Sequence, residues 1–517
     1  MRKKTFLINS IVLTVTTLVS RIIGILFRVY MSNKVGAEAI GLYQLILTIY
    51  FFAATLTSSG FSLAVTRLVT DALAKGKKNQ VVKIVRISFV LSLTLGICLC
   101  LFLIFGADFI GNTIIGDERS ILPLKILGPS LPFMAISSCC RGYFFAVRKV
   151  LKTASEQVLE QVLEIIVFSL LIGFMLPKGI GYACAAVVIG TTVAEVVSFA
   201  YSYILYRIDV KKFKSKSSSG NKGIICKMIK ISSPVTGSAC LRSGLSMVEN
   251  IMIPKRLSKS GASYEIALSG YGMLTGMVMP VITFPSAFLM SFSMLLIPEI
   301  SEANTIGRKK NIKYMSGRVF QITFFFSILV TGIFIFFGKD LSLIIYNDVV
   351  PGIYISVLAP ILPLMYLDSV VDGMLKGLNE QVSYLTYNLI DSIMRVTLTY
   401  FLLPIFGLNG VIIVIFASEI LNSTLSIAKL MKVTKLKMEF MRWIVKPIIS
   451  IAMPGLFIYI FNEYITNVIQ DVVFRFIVEI SVTIIFYIVF LILLKAIEKE
   501  DIIWLKSIAG LFKGDKL

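Results

Sequence analysis

Long apolar runs alternate with short polar, mostly basic segments along this chain. A helix needs about 20 mostly apolar residues to cross a hydrocarbon core of roughly 30 Å. Fourteen runs meet that need, near residues 6–31, 40–66, 87–106, 121–146, 157–176, 180–206, 231–253, 266–297, 319–337, 352–375, 383–404, 409–428, 443–461 and 473–494. Lipid admits only helices or closed barrels, and these runs are too long for barrel strands. The pattern predicts an all-α polytopic membrane protein of about 14 transmembrane helices. Ser, Gly, Pro and acids interrupt the seventh and tenth runs, and Pro280, Pro285 and Pro298 predict kinks in the long eighth. The first run holds Arg21 and Arg28 and ends without a small-residue cleavage site, so it reads as a span rather than a signal peptide.

Composition agrees. Of 517 residues, 56% are hydrophobic and 15% charged, with mean hydropathy +0.87, which excludes soluble globular and disordered classes. The formal net charge is +22. Of the 51 Lys and Arg, 37 fall in alternate loops and the two ends, and eight in the opposite loops. Cytoplasmic loops carry the basic excess, so both termini are expected in the cytoplasm. Six basic residues are left inside spans: Arg21, Arg28, Lys125, Arg141, Arg242 and Arg395. The chain has no histidine, which excludes imidazole acid–base catalysis and histidine-ligated metal. The seven cysteines lack zinc spacing and read as small packing residues. No GxxxxGK[ST] phosphate loop occurs, which argues against ATP hydrolysis.

The chain also repeats itself. When Gly60 is laid on Ser291, Gly60-Phe61-Ser62-Leu63 meets Ser291-Phe292-Ser293-Met294. The same offset brings Gly76-Lys77-Lys78 onto Gly307-Arg308-Lys309, Arg141-Gly142-Tyr143 onto Asp372-Gly373-Met374, and Glu160 onto Asp391. At a slightly shorter offset, Arg28 meets Arg256 and Tyr43 meets Tyr271. Six spans per half is an even number, so the halves are expected as parallel repeats. The expected organisation is an N-lobe over 1–206, a basic cytoplasmic linker over 207–230, a C-lobe over 231–428, and two appended spans with a cytoplasmic tail over 429–517. Two six-helix lobes suggest a transporter that works by lobe rocking.

Four segments carry a family resemblance: SRIIGILFRVYMSNKVGAEAIGLYQL (Ser20–Leu45), GFSLAVTRLVTDALAKGKK (Gly60–Lys78), RGYFFAVRKVLKTASEQVLEQ (Arg141–Gln161) and YGMLTGMVMPVITFPSAFLMSFSMLLIPEISEA (Tyr271–Ala303). Together they resemble the oligosaccharide/polysaccharide flippase branch of the multidrug/oligosaccharidyl-lipid/polysaccharide exporter superfamily. The resemblance implies a V-shaped two-lobe bundle that moves a lipid-linked sugar precursor across the cell membrane. For sporulation members it implies spore cortex peptidoglycan assembly. Arg21 and Arg28 are seven positions apart, whereas the branch's lipid II flippases carry a similar pair slightly closer.

An arginine at a helix centre costs about 2.5–3.5 kcal/mol on insertion scales, so each intramembrane arginine needs a reason. Arg21 and Arg28 lie nearly two full turns apart and share one helix face, with Gly24 between them. One reading is an ion pair with a neighbouring acid. The other is a water-filled cavity in which both bind the pyrophosphate of a polyprenyl-linked saccharide. Arg67 is either a cytoplasmic anchor or a substrate contact, and Arg141, Arg242 and Arg395 either line the cavity or pair with acids. The intramembrane acids include Glu160, Glu164, Glu195, Glu249, Asp368, Asp372 and Asp391. They either neutralise the arginines or, at Glu249 with Asp368 or Asp372, bind Na⁺ or H⁺ for coupling. Asp391 and Arg395 are spaced for an intrahelical pair. Tyr30, Tyr43, Tyr50 and Tyr271 read either as sugar-stacking residues or as interfacial anchors.

The expected function is therefore alternating-access translocation of a lipid II-like substrate from the inner to the outer face. The alternative is a cation-coupled multidrug antiporter of the same superfamily. An enzymatic role is not expected, nor is a cofactor beyond a coupling Na⁺ or H⁺. The expected partners are the substrate, the bilayer and cell-wall synthesis proteins; no nucleic acid is expected, and the chain is expected as a monomer.

Overall fold

The apolar runs of the sequence become helices in the computed structural model, which describes residues 2–213, 222–498 and 501. Among the described residues there is no strand. The first helix, α1, covers Arg2–Ala74, 73 residues. A straight helix of that length would reach about 110 Å, more than three hydrocarbon cores. It breaks at Gly36, whose φ of 79° and ψ of 169° are not helical. So α1 holds the first two expected spans. The third is α2 (Lys78–Phe109), and the fourth is bent by 45° between α3 (Ile121–Leu127) and α4 (Ser130–Ala146), around Gly128 and Pro129. Next come α5 (Val150–Met175), α6 (Ile180–Val210) and α7 (Lys222–Leu257). The eighth expected span is broken into α8 (Tyr264–Gly272), a π-helical stretch over Met273–Val278, α9 (Met279–Thr283) and α10 (Ser286–Thr305). The breaks fall at Pro280 and Pro285, and Pro298 lies within α10. The chain continues with α11 (Lys309–Tyr346), then α12 (Val350–Leu358) and α13 (Leu362–Gly377) as the tenth span. It closes with α14 (Gln381–Phe406), α15 (Leu408–Thr434), α16 (Lys446–Val468) and α17 (Val472–Leu493).

By length and apolarity, 12 helices among the described residues can cross a membrane, or 13 with the bent α3–α4 pair. Counting α1 twice, across its break at Gly36, brings the number to the expected figure of about 14. Aromatic side chains stand open on the outside, Phe105 and Phe174 at 78% exposure, as suits hydrocarbon rather than water. The protein is a multi-pass membrane protein.

The repeat is written in the backbone. Left-handed residues recur at the offset that joins Gly60 to Ser291: Gly76 (φ 69°) and Gly307 (φ 75°), Gly116 (φ 83°) and Asn347 (φ 53°), Arg148 (φ 58°) and Asn379 (φ 64°). Each closes a helix, so the two halves stop and restart their helices in step.

Two compact units emerge, Met1–Met277 with Ser392–Val411, and Val278–Asp391 with Ile412–Leu517. They are a different partition from the repeat-based lobes, because α7 and α8 pack on α1 in the first unit. There a Cβ on Gly272 would sit 2.0 Å from the Ala37 carbonyl oxygen, so only glycine permits that approach. A core of Val65, Val69, Cys139, Cys140, Tyr143 and Phe144 joins α1 to α4. In the second unit α11 packs against α12, α13, α16 and α17, and Tyr487 on α17 donates to the Phe325 carbonyl oxygen at 2.8 Å. Linker residues 214–221 and tail residues 499–500 and 502–517 lie outside the described residues.

Candidate functional site

The arginine pair of α1 flanks Gly24, which has no side chain. Arg21 is half-buried and Arg28 exposed. A Cβ on Gly24, between them, would meet only the Gln161 side-chain nitrogen of α5, 3.9 Å away. The face carrying both arginines therefore runs beside α5, and Arg28 lies within electrostatic range of Glu164 on that helix. Guanidinium groups at this density suit phosphate oxygens, which accept two parallel hydrogen bonds from one planar fork.

The other basic candidates divide. Arg67 is exposed near the end of α1, and Arg242 is exposed on α7 between Pro234 and Pro254. Arg141 on α4 donates from Nη1 to Glu156 Oε1 at 3.1 Å, so it is ion-paired. Glu249 is buried on α7 and accepts two bonds at Oε1 from Arg395, 2.9 Å from Nε and 2.7 Å from Nη2. Asp391 accepts from the Ser418 hydroxyl.

In the second unit Asp368 is buried on α13 and accepts from Asn422 Nδ2 on α15 at 2.9 Å. Asp368 Oδ1 has no hydrogen-bond partner. Asp372 stands one turn further along α13 on the same face. The structure thus brings together Arg141 with Glu156, Glu249 with Arg395, and Asp368 with Asn422. Among the described residues no cluster of three or more Cys, Asp or Glu is placed to hold a metal ion.

Three tyrosines are core residues instead of sugar-stacking or interfacial ones. Tyr43, Tyr50 and Tyr271 are at most 7% exposed. Ser130 donates to the Tyr50 oxygen at 3.0 Å, and Tyr271 donates to Asn250 Oδ1 at 3.1 Å. Burial of a tyrosine is cheap once its hydroxyl is bonded. Tyr30 meets Phe168 edge-on. Asn422 and Ser418 are uncharged and sit in no motif, so nothing local in the sequence marks them. The repeat would have found Asn422, because the offset that joins Arg141 to Asp372 also joins Thr191 to Asn422. Thr191 is itself a donor to Glu164 at 2.7 Å.

Comparison with known proteins places this geometry. The chain is 28% identical over 445 residues to stage V sporulation protein B of Bacillus subtilis (strain 168), covering 85% of this chain and 86% of that one. It is 22% identical over 429 residues to the lipid II flippase MurJ of the same organism, 78% of each chain. Among solved structures, the inward closed conformation of lipid II flippase MurJ superposes with a TM-score of 0.69 at 17% identity, covering 93% of this chain and 98% of that one. An inward-facing multidrug resistance MATE transporter of the MOP superfamily superposes at 0.62 and 16% identity, covering 83% and 100%. At those identities the likeness concerns the fold, which is that of MOP transporters. The model of the polysaccharide biosynthesis protein family matches residues 6–304, more than half of the sequence, and the chain belongs to that family.

Proposed function

We propose that this protein is a flippase, not an enzyme, that carries a polyprenyl-pyrophosphate-linked saccharide from the inner to the outer face of the cell membrane. The observation that carries the reading is the arginine pair, Arg21 and Arg28, on one face of α1 with Gly24 between them. Intramembrane arginine is costly, and a diphosphate between water-lined helices is the ligand that repays it. The relatives support the same reading, one being named a lipid II flippase and another a sporulation protein. On this reading the substrate is lipid II-like and the process is spore cortex peptidoglycan synthesis. The repeat-related halves, 1–206 and 231–428, rock about the site, both termini face the cytoplasm, and cell-wall synthesis proteins receive the product. Arg67, Arg141 and Arg242 act as further substrate contacts, and Glu249, Asp368 and Asp372 as candidate groups for Na⁺ or H⁺ coupling.

A multidrug antiporter is the second reading, favoured by the MATE-like fold and by the buried acids of α7 and α13. The arginine face speaks against it, because a cationic drug is repelled there.

The test is translocation of fluorescent lipid II and of other polyprenyl-linked sugars by purified protein in vesicles. Arg21→Ala and Arg28→Ala are each expected to slow it by on the order of tenfold, the factor that about 1.4 kcal/mol produces. Full activity of Arg21→Ala, with normal insertion, would overturn the reading.

A further inference from the structure

The last turns of α7 carry a stripe that changes from apolar to basic. Met247, Ile251, Lys255 and Lys259 follow one another four residues apart, and Val248, Met252 and Arg256 form the row beside them. Residues at that spacing share one helix face. Lys259 stands in the 3₁₀ turn Ser258–Ser260 that extends α7. The two rows line a groove of about 410 Å³, and Ile114, in the π-helical turn Ile110–Ile115 that follows α2, forms its other wall. That volume suits a small-molecule site, for which about 300–1,000 Å³ is usual. The groove lies wholly within the first unit. Val248 and Lys259 are exposed and the other lining residues half-buried, so the groove is open along its length.

Neither topology nor ion pairing accounts for the basic end. Lys255, Arg256 and Lys259 are three of the eight basic residues in the loops where basic residues are few. Among the described residues none of the three is ion-paired. Glu249, on the buried face of α7, is taken by Arg395, and Asp117, beside Gly116 in the chain, by Arg119 at 2.8 Å. Two of the three cations are nonetheless held in place. Lys255 donates from Nζ to the Thr113 carbonyl oxygen at 3.1 Å and to that of Ile114. The carbonyl end of a helix attracts a cation, which explains part of Lys255. An ammonium has three donors, so one remains for a ligand. The Arg256 guanidinium lies over the Tyr400 ring of α14, 3.4 Å from its centre. A stacked guanidinium keeps its edge for oxygen acceptors.

We propose that this groove binds an anionic phospholipid of the bilayer. Its phosphodiester sits on Lys255, Arg256 and Lys259, and one acyl chain lies along Met247, Ile251 and Met252 against Ile114. Basic pockets between membrane helices hold anionic headgroups in this way. Methionine, unbranched and adaptable, suits a flexible chain. From Met247 to Lys259 the stripe rises about 18 Å, close to the roughly 15 Å of one leaflet's hydrocarbon. A phospholipid fits that depth, whereas a long polyprenyl chain would overrun it. The bound lipid ties the end of α7 to the turn after α2. The site uses neither Arg21 nor Arg28 and stands whether or not the chain is a flippase. Only its assignment to the outer leaflet rests on the proposed topology.

The experiment delipidates the full chain in detergent and titrates it with phosphatidylglycerol or phosphatidylcholine. Bound lipid is counted by native mass spectrometry, and stability is read by thermal melting. Phosphatidylglycerol is expected to be retained and to raise the melting temperature, because a ligand of the folded state stabilises it. Phosphatidylcholine is expected to do neither. Arg256→Gln and Lys259→Gln are each expected to weaken phosphatidylglycerol binding by on the order of tenfold, the factor that about 1.4 kcal/mol produces. Lys259 is exposed, so its variant tests the site without disturbing packing. Met252→Trp is expected to fill the trough and abolish binding with all three charges in place. Lys178→Gln, which removes another exposed basic residue, is expected to leave binding unchanged. Equal retention of the two lipids, or retention that survives Arg256→Gln and Lys259→Gln, overturns the proposal. So does an equal loss in Lys178→Gln, which would mean diffuse surface charge. Displacement of phosphatidylglycerol by an equal concentration of a short-chain prenyl pyrophosphate would give the groove to the saccharide carrier and overturn it too. If translocation fails while phosphatidylglycerol binding persists, the flippase reading falls and this site stands.

Discussion

Two corners of the molecule, related by the internal repeat, are tied by ion pairs of opposite sense. In the first unit Lys149, at the turn into α5, pairs with Asp209 on α6. Its repeat counterpart in the second unit is Glu380, at the turn into α14, which pairs with Lys429 on α15 at 3.0 Å. The inversion goes further. The same offset sets Glu164 on α5 against Arg395, and the shorter one, which joins Arg28 to Arg256, sets Arg21 against Glu249. So the Arg395–Glu249 pair occupies positions whose counterparts carry the opposite signs. Lys149, Glu164 and Arg21 thus meet charges of opposite sign in the second half, whereas Asp209 and Lys429, the partners at the two corners, correspond to the uncharged Phe440 and Ser198.

The mid-span clusters differ in kind as well as in sign. Arg141 corresponds to Asp372, Thr191 to Asn422 and Glu195 to Ser426, all at the longer offset. The first cluster satisfies Glu156 with an arginine and Glu164 with a threonine. The second satisfies Asp368 with the neutral amide of Asn422, and Asp391 with the Ser418 hydroxyl. Breaking a charged pair leaves a bare buried charge, whereas losing a neutral donor leaves one unmet acceptor. The first cluster is thus the more sensitive to losing a partner.

The largest expected effect tests that asymmetry. Arg141→Ala leaves Glu156, at 1% side-chain exposure, without its cation. The expected loss is about 3–5 kcal/mol, read as a fall in melting temperature in detergent. Asn422→Leu, in the second unit, should cost about 1–3 kcal/mol. Equal losses would erase the distinction between the clusters.

Spans were legible because apolar length is a one-dimensional signal, and the α1 break fell between the runs at 6–31 and 40–66. Partners were less legible, because they depend on which helices touch. Arg395 reaches Glu249 on α7, far away in sequence, and no spacing along α14 announces that partner. The tyrosines misled for the same reason: Tyr271 looks interfacial in a row of residues and is buried against α7 in three dimensions. The packing of α7 and α8 on α1 was also invisible, since glycine at 272 announces a close approach but not to which helix.

The next effect sharpens the sign inversion. Glu249→Arg and Arg395→Glu are each expected to cost about 2–4 kcal/mol, since each places two like charges together beside a buried position. The double variant rebuilds the pair with the signs that the first half carries at these positions. It is expected to recover more than half of the summed loss, again by thermal melting. No recovery would mean that the surroundings of α7 select the sign, and that the inversion is local.

The smallest effect lies at the corner. Glu380 stands outside the spans, and its hydrogen bond to Lys429 holds its carboxyl below the ordinary glutamate value, outweighing partial burial. A group with a lowered folded pKa contributes stability that is present above its unfolded value and lost as pH falls through the folded one. The pair is half-exposed, so its worth is about 0–1 kcal/mol. Glu380→Gln is expected to lower the melting temperature slightly at neutral pH and to match wild type in acid below the usual glutamate range, about 4.3. A gap between the two that persists in acid would mean that Glu380 holds the corner by its backbone position, with the inverted charge incidental.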